Sequence, residues 1–385
     1  MEDLFKDHIP LLRPWLGQEE VQAATEVIMS GWISQGSRVA EFENAVTKYL
    51  GAKYAVATNS CTSALHLGMQ LSGIKNGDEV ICPSFTCMAT ANAIHHAGAT
   101  PVFADINPQT YNLDFDAVSA SITPRTRGIA LVHQIGLPAN LDAFAKLAKD
   151  HNLVLIEDAA CSFGATYKGK RIGSHGSTIC FSFHPRKMIT TGEGGMLITD
   201  NAELAETARV LRSAGASISD LERHKAKGVL VQKYANVGYN FRMTDIQAAI
   251  GLVQLGKIGE MLEQRARQAQ RYNEALAQIE EIDPPYVPEY ATHAYSSYLI
   301  RLRPKATVGR DKLICEMAAR GISCRVGIQP LHLEPYYLQR FAKMSFPNTE
   351  EAARNTMFLP IYPGLTEEEQ NRIITALETI LARSR

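Results

Sequence analysis

Short apolar runs alternate with longer helical stretches through the first half of the chain, and this alternation limits the folds that the chain can adopt. Runs of near-continuous apolar residues predict strands over 54–58, 79–82, 101–104, 128–132 and 153–157. Helices are predicted between them, over 62–70, 89–97 and 141–150. Strands that are apolar along their length and joined by helices are typical of a mostly parallel sheet covered on both faces. We therefore predict an α/β fold built around such a sheet.

The pattern changes after Asp245, where a helical stretch continues to about Ala277. A proline-rich segment at 283–288 follows, and it is either a domain boundary or a surface loop. The rest of the chain mixes a predicted strand with helices, over 298–303, 312–320 and 367–383. This organisation predicts an N-terminal arm and large domain over 1–255, and a smaller C-terminal α/β domain over 256–385.

Bulk composition excludes several classes of protein. The net charge of −1 provides no long-range field that would gather nucleic acid or an acidic membrane. We find no apolar run of about 18 residues, and the first residues are too acidic for a signal peptide, so we expect a cytoplasmic protein. The seven cysteines are an odd number and include no C-x-x-C pair, so neither a disulfide framework nor a metal site is predicted.

Lys187 stands in a glycine-rich segment, 182–195, between two further predicted strands. Its glycines permit a sharp turn and a close approach to a ligand, which a surface lysine would not need. Asp158 follows the strand over 153–157, at the end of the sheet where ligands bind, although a turn or cap role is also open. Lysine forms an imine with an aldehyde, and aspartate pairs with a protonated ring nitrogen. Together they predict pyridoxal phosphate.

The segment 58–65 passes from a predicted strand into a helix and contains serine and threonine residues. Free N–H groups and the positive end of the helix dipole would suit a phosphate dianion there. An ordinary serine or threonine N-cap is the alternative interpretation.

Several motifs extend this interpretation to nearly the whole chain. They are Gly31–Gly36, 83–86 with 89–94, Glu157–Ala160, the lysine segment, Gly238–Gln247, Pro330–His332 and Leu359–Pro360. With these motifs the chain resembles the DegT/DnrJ family of pyridoxal-phosphate sugar aminotransferases. The resemblance implies the aspartate-aminotransferase-like fold, fold type I, with the cofactor bound by the large domain.

The resemblance also implies roles for individual residues. Lys187 would form the imine and shuttle the proton, and Asp158 would keep the pyridine nitrogen protonated. Ser182 and the backbone of Cys61 and Thr62 would bind the cofactor phosphate. Asn240 would reach the phosphate of the neighbouring subunit's cofactor, which implies a homodimer with shared active sites.

Three cysteines depart from the family pattern. Cys61 stands where glycine is usual, Cys87 where an aromatic residue stacks on the cofactor ring, and Cys161 where glutamine is usual. Phe85 is an alternative source of a stacking ring. These thiols either loosen cofactor retention or widen the pocket, or they are simply small buried apolar residues.

Four residues are candidate substrate contacts. His332 matches a position near the sugar pocket, or it has a capping or packing role. Trp32 either contacts the sugar or belongs to the core, and Arg186 either meets a carboxylate or diphosphate or points to solvent. Arg242 lies in the same motif as Asn240, which places it near the active site, whereas His184 has a structural role or supports a neighbouring site residue, in preference to a catalytic role.

The resemblance implies transfer of an amino group, with L-glutamate as donor, to a nucleotide-linked keto-deoxysugar, with a C4 ketone as first choice. Two rivals remain. One is a sugar dehydratase of the same family, in which histidine replaces the lysine that is present here as Lys187. The other is a non-catalytic regulator with the same fold.

Overall fold

The computed structural model describes residues 7–218, 229, 231–341 and 344–382. Its main sheet has seven strands in the order β1-β9-β8-β5-β4-β2-β3. They are β1 (Tyr54–Thr58), β2 (Glu79–Pro83), β3 (Thr100–Ala104), β4 (Thr126–Val132), β5 (Val154–Asp158), β8 (Thr178–Ser182) and β9 (Gly195–Thr199). Only β9 runs antiparallel to its neighbours, β1 and β8, whereas the pairs from β8 to β3 are parallel. The prediction of a mostly parallel sheet is confirmed.

Helices cover the main sheet and surround a second one. The helices between residues 18 and 212 are α1 (Gln18–Ser30), α2 (Ser37–Leu50), α3 (Cys61–Leu71), α4 (Met88–His96), α5 (Phe115–Ala120), α6 (Leu141–Asp150) and α7 (Ala202–Arg212). The later ones are α8 (Asp245–Gly256), α9 (Ile258–Leu276), α10 (Arg310–Ala318), α11 (Pro335–Leu338), α12 (Pro347–Asn355) and α13 (Glu367–Ala382). The continuous helical stretch predicted after Asp245 is interrupted at Lys257, which separates α8 from α9.

Helix α6 shows how local sequence places these elements. The side chain of Asn140 caps its first turn by accepting a hydrogen bond from the Ala143 N–H over 3.3 Å. Leu141, Phe144 and Leu147 are buried on one face, as their helical spacing predicts. Burial of each such side chain contributes about 1.5–3 kcal/mol, so this face fixes the helix against the sheet.

The second sheet has four antiparallel strands in the order β10-β12-β14-β13. They are β10 (Ile282–Asp283), β12 (Tyr298–Leu302), β13 (Arg325–Val326) and β14 (Thr356–Leu359), and a third sheet joins β6 (Thr166–Tyr167), β7 (Lys170–Arg171) and β11 (Ala291–Thr292). The proline-rich segment 283–288 connects β10 to β11, which fits the surface-loop alternative.

The main sheet has a hydrophobic core on each of its faces, and the second sheet has a core of its own. Ile258 and Met261, near the start of α9, pack in one core of the main sheet. Tyr272, farther along the same helix, packs in the core of the second sheet, which also includes Ile9 from the start of the chain. Helix α9 therefore belongs to a core of each sheet, and the division at 255/256 stays a prediction.

Candidate active site

The C-terminal ends of the parallel strands border a cavity of about 790 Å³. Val132 at the end of β4 and Asp158 at the end of β5 line it, because parallel strands end at the same edge of a sheet. The structure brings several of the predicted residues to its wall, namely Asp158, Lys187, Cys87, Cys161 and Arg186. The opposite wall comes from the second sheet, with Arg325 and Phe358 among its residues.

Asp158 is buried and held by two donors. Thr90 Oγ1 donates a hydrogen bond to its Oδ2 over 2.7 Å, and the Ala160 N–H donates to its Oδ1 over 3.2 Å. Thr86 and Thr90 hydroxyls lie 3.1 Å apart. Since the Thr90 hydrogen is given to the carboxylate, the Thr90 oxygen accepts from Thr86. The carboxylate is therefore fixed in one orientation at the cavity wall.

Backbone hydrogen bonds close the loop that carries Lys187. The Phe183 N–H donates to the Gly194 carbonyl over 2.9 Å, and the Thr191 N–H donates to the Phe183 carbonyl over 3.0 Å. Gly192 has a φ of +82°, a conformation that other residues rarely adopt, so the turn requires glycine there. The loop thus presents Lys187 to the cavity from a fixed backbone.

His184 supports this loop from inside. Its Nδ1 accepts a hydrogen bond from the Arg186 N–H over 3.2 Å, and its carbonyl accepts from the Lys187 N–H over 2.9 Å. Burial lowers the pKa of His184, which favours the neutral ring that accepts at Nδ1. These contacts agree with the predicted structural role of His184.

The amine of Lys187 contacts the thiol of Cys161. Nζ donates a hydrogen bond to Sγ over 3.1 Å. Burial alone would lower the pKa of Lys187, but the nearby Cys161 and Asp158 outweigh burial and raise it. The raised pKa favours the ammonium form, in which Nζ donates to Sγ.

The start of α3 meets the ends of three neighbouring strands. Gly195 pairs with Thr58 of β1 and with Ser182 of β8. A Cβ atom at Gly195 would lie 2.4 Å from the backbone carbon and oxygen of Ser60, so glycine permits this close approach. Ser60 caps α3 by accepting from the Ser63 N–H over 3.1 Å.

These contacts bring Ser182, Cys61 and Thr62 to one region. Ser182 is buried at the end of β8, and its Oγ accepts from the His184 N–H over 3.4 Å. Cys61 and Thr62 are the first residues of α3, whose free N–H groups suit an anion. Burial raises the pKa of the Cys61 thiol, with Asp158 adding to the effect, so this thiol is neutral.

Sequence reasoning missed a buried pair beside Asp158. His133 lines the cavity, its Nδ1 accepts from the Ala139 N–H over 3.1 Å, and its Nε2 lies 2.9 Å from Glu157 Oε2. The ring therefore carries its proton on Nε2 and donates it to Glu157. The backbone N–H of His133 also donates to the backbone carbonyl of Asp158 over 3.0 Å. Its position directly after the apolar run 128–132 was the available signal.

A model of the DegT/DnrJ/EryC1/StrS aminotransferase family matches residues 14–378. The chain belongs to this family. Spore coat polysaccharide biosynthesis protein SpsC of Bacillus subtilis (strain 168) is 40% identical to it over 377 residues, with 97% of each protein covered. The resemblance inferred from the motifs is thereby confirmed.

Solved structures agree with the family match. The chain is similar to DesV of S. venezuelae, at 33% identity and a TM-score of 0.89, with 97% of this chain and 98% of DesV covered. It is also similar to the PLP-form of a putative sugar aminotransferase, Spr1654 of Streptococcus pneumoniae, at 29% identity and a TM-score of 0.90, with 98% and 100% covered. The protein is accordingly a pyridoxal-phosphate-dependent aminotransferase of fold type I.

The residues present in this DegT/DnrJ/EryC1/StrS member fit the cofactor. An amine and a carboxylate, those of Lys187 and Asp158, line one cavity, and a helix start with free N–H groups lies nearby. Cys87 is exposed at the N-terminus of α4 and lines the cavity where an aromatic residue was expected. Phe85 is fully buried and does not line the cavity, so it does not provide the alternative ring.

The other predicted residues of this family member lie outside the cavity wall. His332 is buried, shares a 2.7 Å hydrogen bond with the Ser84 hydroxyl and packs edge-on against Phe346. These contacts correspond to its packing alternative. Trp32 donates from Nε1 to the Gln35 carbonyl over 3.2 Å, within its own turn.

The motif with Asn240 and Arg242 passes the start of α3 in this family member. The Asn240 carbonyl accepts from the Asn59 side chain over 3.2 Å, and the Phe241 carbonyl accepts from the Asn59 N–H over 2.8 Å. Asn240 is exposed and Arg242 is partly exposed.

Within the described residues, no helix combines the length and the apolar character needed to cross a membrane.

Proposed function

We propose that this aminotransferase transfers the amino group of L-glutamate to the C4 ketone of a nucleotide-linked keto-deoxysugar. The observation that carries the proposal is the presence of Lys187 and Asp158 in the wall of one cavity. A volume of about 790 Å³ leaves space beside the cofactor for a sugar substrate. The names of SpsC and Spr1654 associate these relatives with polysaccharide biosynthesis and sugar amination.

Each residue has a distinct task in this proposal. Bound pyridoxal phosphate supplies an electron sink for the negative charge that develops at the amino donor's Cα. Asp158, oriented by Thr90 and Ala160, would hold the proton of the pyridine nitrogen in place. The neutral amine of Lys187 would take the Cα proton on Nζ, because a positioned amine at the cavity wall can act as general base.

The remaining residues bind and orient. We propose that the N–H groups at Cys61 and Thr62, together with Ser182, bind the cofactor phosphate, and that Cys87 and Cys161 flank the ring. Arg186 is exposed at the cavity wall, where it would meet an anionic group of a substrate. Asn240 would complete the phosphate site of a second subunit in a cytoplasmic homodimer.

The donor half-reaction tests the proposal. Protein with reduced cysteines and bound pyridoxal phosphate, in the absence of a keto-sugar acceptor, should convert one equivalent of glutamate per site to 2-oxoglutarate and then stop. Lys187→Ala should release none, because no amine remains to move the Cα proton. Lys170→Ala, at an exposed position in β7, is the control and should behave as wild type. Full release of 2-oxoglutarate by Lys187→Ala would contradict the proposal.

The second half-reaction, with a keto-sugar acceptor, distinguishes the rival functions. Nucleotide keto-sugars with a ketone at different carbons are incubated with the glutamate-treated protein, and products are analysed by mass spectrometry. A gain of nitrogen supports transamination, and preference for the C4 ketone supports the proposed carbon. Loss of a hydroxyl without nitrogen gain would support the dehydratase, and no conversion of any sugar or of glutamate would support the regulator.

A further inference from the structure

The side chains of Lys187 and Cys161 meet inside the cavity. Besides the 3.1 Å hydrogen bond from Nζ to Sγ, both residues line the cavity wall. Residue 161 is partly exposed, so a small solute that enters the cavity can reach its sulfur. A nucleophilic sulfur and a primary amine are thus in contact at an accessible position.

The other thiols of the main sheet do not combine these features. Cys61, Cys82 and Cys180 are buried, and burial raises the pKa of each thiol, which keeps these sulfurs protonated and unreactive. Cys87 is exposed in the same cavity, but its thiol has no hydrogen bond to an amine in the described part of the chain. Cys87 is therefore a natural matched control for Cys161.

We propose that Cys161 is a site of reversible oxidation, and that its oxidised sulfur forms a covalent bond with the Lys187 side-chain nitrogen. A hydroperoxide, such as hydrogen peroxide, transfers one oxygen to the thiol, which becomes a sulfenic acid while the peroxide is reduced to water. The Lys187 nitrogen, after losing a proton to solvent, attacks the sulfur. An S–N bond forms, the S–O bond breaks and water leaves. The protein has then lost two hydrogen atoms overall.

This cross-link would switch the enzyme off, a consequence that rests on the proposed function. The nitrogen that is bonded to sulfur is the one that must engage the cofactor aldehyde, so the oxidised protein cannot take up the cofactor covalently. Conversely, a bound cofactor occupies Lys187 and protects the pair. Two equivalents of an added thiol reduce the S–N bond, which restores the free amine and the free thiol as a disulfide forms from the reductant.

The test compares the full-length protein with and without bound pyridoxal phosphate, each treated with hydrogen peroxide. Peptide mass spectrometry should find the segments containing residues 161 and 187 joined, with a loss of two hydrogens, in the cofactor-free sample only. Dithiothreitol should release them, and the visible absorbance that follows addition of pyridoxal phosphate should recover. Detection of the cross-link by mass spectrometry does not depend on turnover. Absence of the cross-link is therefore distinguishable from failure of the glutamate half-reaction.

Three variants assign the chemistry. Cys87→Ser should form the cross-link as wild type does, whereas Cys161→Ser should not form it. Lys187→Ala should leave Cys161 as a sulfenic acid that a sulfenic-specific probe captures. The inference is overturned if the peptides stay separate in wild type, if Cys161→Ser still joins them, or if residue 161 proceeds to sulfinic acid without a bond to Lys187.

Discussion

Thr90 shows what a single residue adds to the active site beyond the predicted lysine and aspartate. It lies on α4, 68 residues before Asp158 in the chain, and donates directly to that carboxylate. Its hydroxyl in turn accepts a hydrogen bond from the hydroxyl of Thr86. The orientation of the Asp158 carboxylate therefore depends on a helix from a different part of the chain.

Replacement of Thr90 by valine should weaken cofactor binding without unfolding the protein. Valine has a similar shape but cannot donate to Asp158, and a hydrogen bond to a charged group is worth about 1.5–3 kcal/mol. We expect the Kd for pyridoxal phosphate to rise at least about tenfold, since about 1.4 kcal/mol corresponds to that factor. Titration of cofactor-free protein with pyridoxal phosphate measures this.

The serine variant provides the control for Thr90. Thr90→Ser keeps the hydroxyl and should bind the cofactor with close to wild-type affinity. Equal affinities for the valine and serine variants would show that the hydrogen bond to Asp158 does not position that carboxylate.

The common location of Lys187 and Asp158 was accessible from sequence because both follow strands of one sheet, and parallel strands end at a common edge. The contact of Thr90 with Asp158 and that of His133 with Glu157 were not accessible in the same way. They depend on side-chain orientation between elements that are distant in the chain. For the same reason, sequence motifs could not distinguish a packed His332 from one that faces a sugar.

At the scale of elements, the junction of α3 with β9 depends on the missing side chain of Gly195. Because an added Cβ would lie 2.4 Å from the Ser60 backbone, Gly195→Ala must displace the start of α3. Overpacking of this kind costs on the order of 2–3 kcal/mol in the free energy of unfolding. Chemical denaturation should detect the loss, and phosphate-dependent cofactor binding should weaken with it.

Gly259→Ala is the matched control for this junction. Gly259 is exposed in the first turn of α9, and a Cβ atom there would meet nothing within 4 Å. The free energy of unfolding should be unchanged or slightly raised, because alanine favours helix. Equal denaturation midpoints for the two alanine variants would refute the close approach of β9 to α3.

Helix α3 also carries a titratable group whose folding linkage can be measured. His66 is buried, with its ring 4.8 Å from that of Tyr239 and 5.7 Å from that of His96. Burial, with a smaller effect of His96, lowers the pKa of His66 from 6.5 to about 4. Between these pH values the unfolded chain binds a proton that the folded chain does not, so stability falls as pH falls.

The expected size of this effect is about 2 kcal/mol between pH 7 and pH 5. Denaturation of wild type and His66→Gln at both pH values isolates it. The variant should lose that part of the pH dependence, whereas an identical pH dependence in both proteins would argue against a neutral buried His66.

Element type was predicted well where the apolar pattern was long enough to reveal a period. The strands of the main sheet and helix α6 lie within a residue or two of their predicted bounds. β6, β7, β10, β11 and β13 were not predicted because each has two residues, too few to show alternation. The break at Lys257 lies between Gly256 and Gly259, and these two poor helix formers were the available signal.

At the scale of the whole molecule, the proposed sharing of sites between subunits can be tested by complementation. If Asn240 serves the neighbouring subunit's cofactor, a site needs Lys187 from one chain and Asn240 from the other. Lys187→Ala and Asn240→Ala should each be impaired as pure proteins. Mixed dimers, formed by co-expression, should regain activity because one of their two sites combines both intact residues.

Co-expression of Lys187→Ala with Asp158→Asn is the comparison for this experiment. Both residues belong to the same subunit's cavity, so no mixed dimer contains an intact site. Recovery of activity in that mixture, or none in the Asn240 mixture, would contradict a site shared in the proposed way.

The cavity is bordered by both large sheets, and α9 is packed into a core of each. A ligand that contacts Asp158 on one side and Arg325 on the other therefore bridges the two sheets. Substitutions along α9 that alter its packing against one core would shift one wall of the cavity relative to the other and change KM, although they touch no ligand. Selection for a new acceptor can thus act on the packing of α9 as well as on the residues that line the cavity.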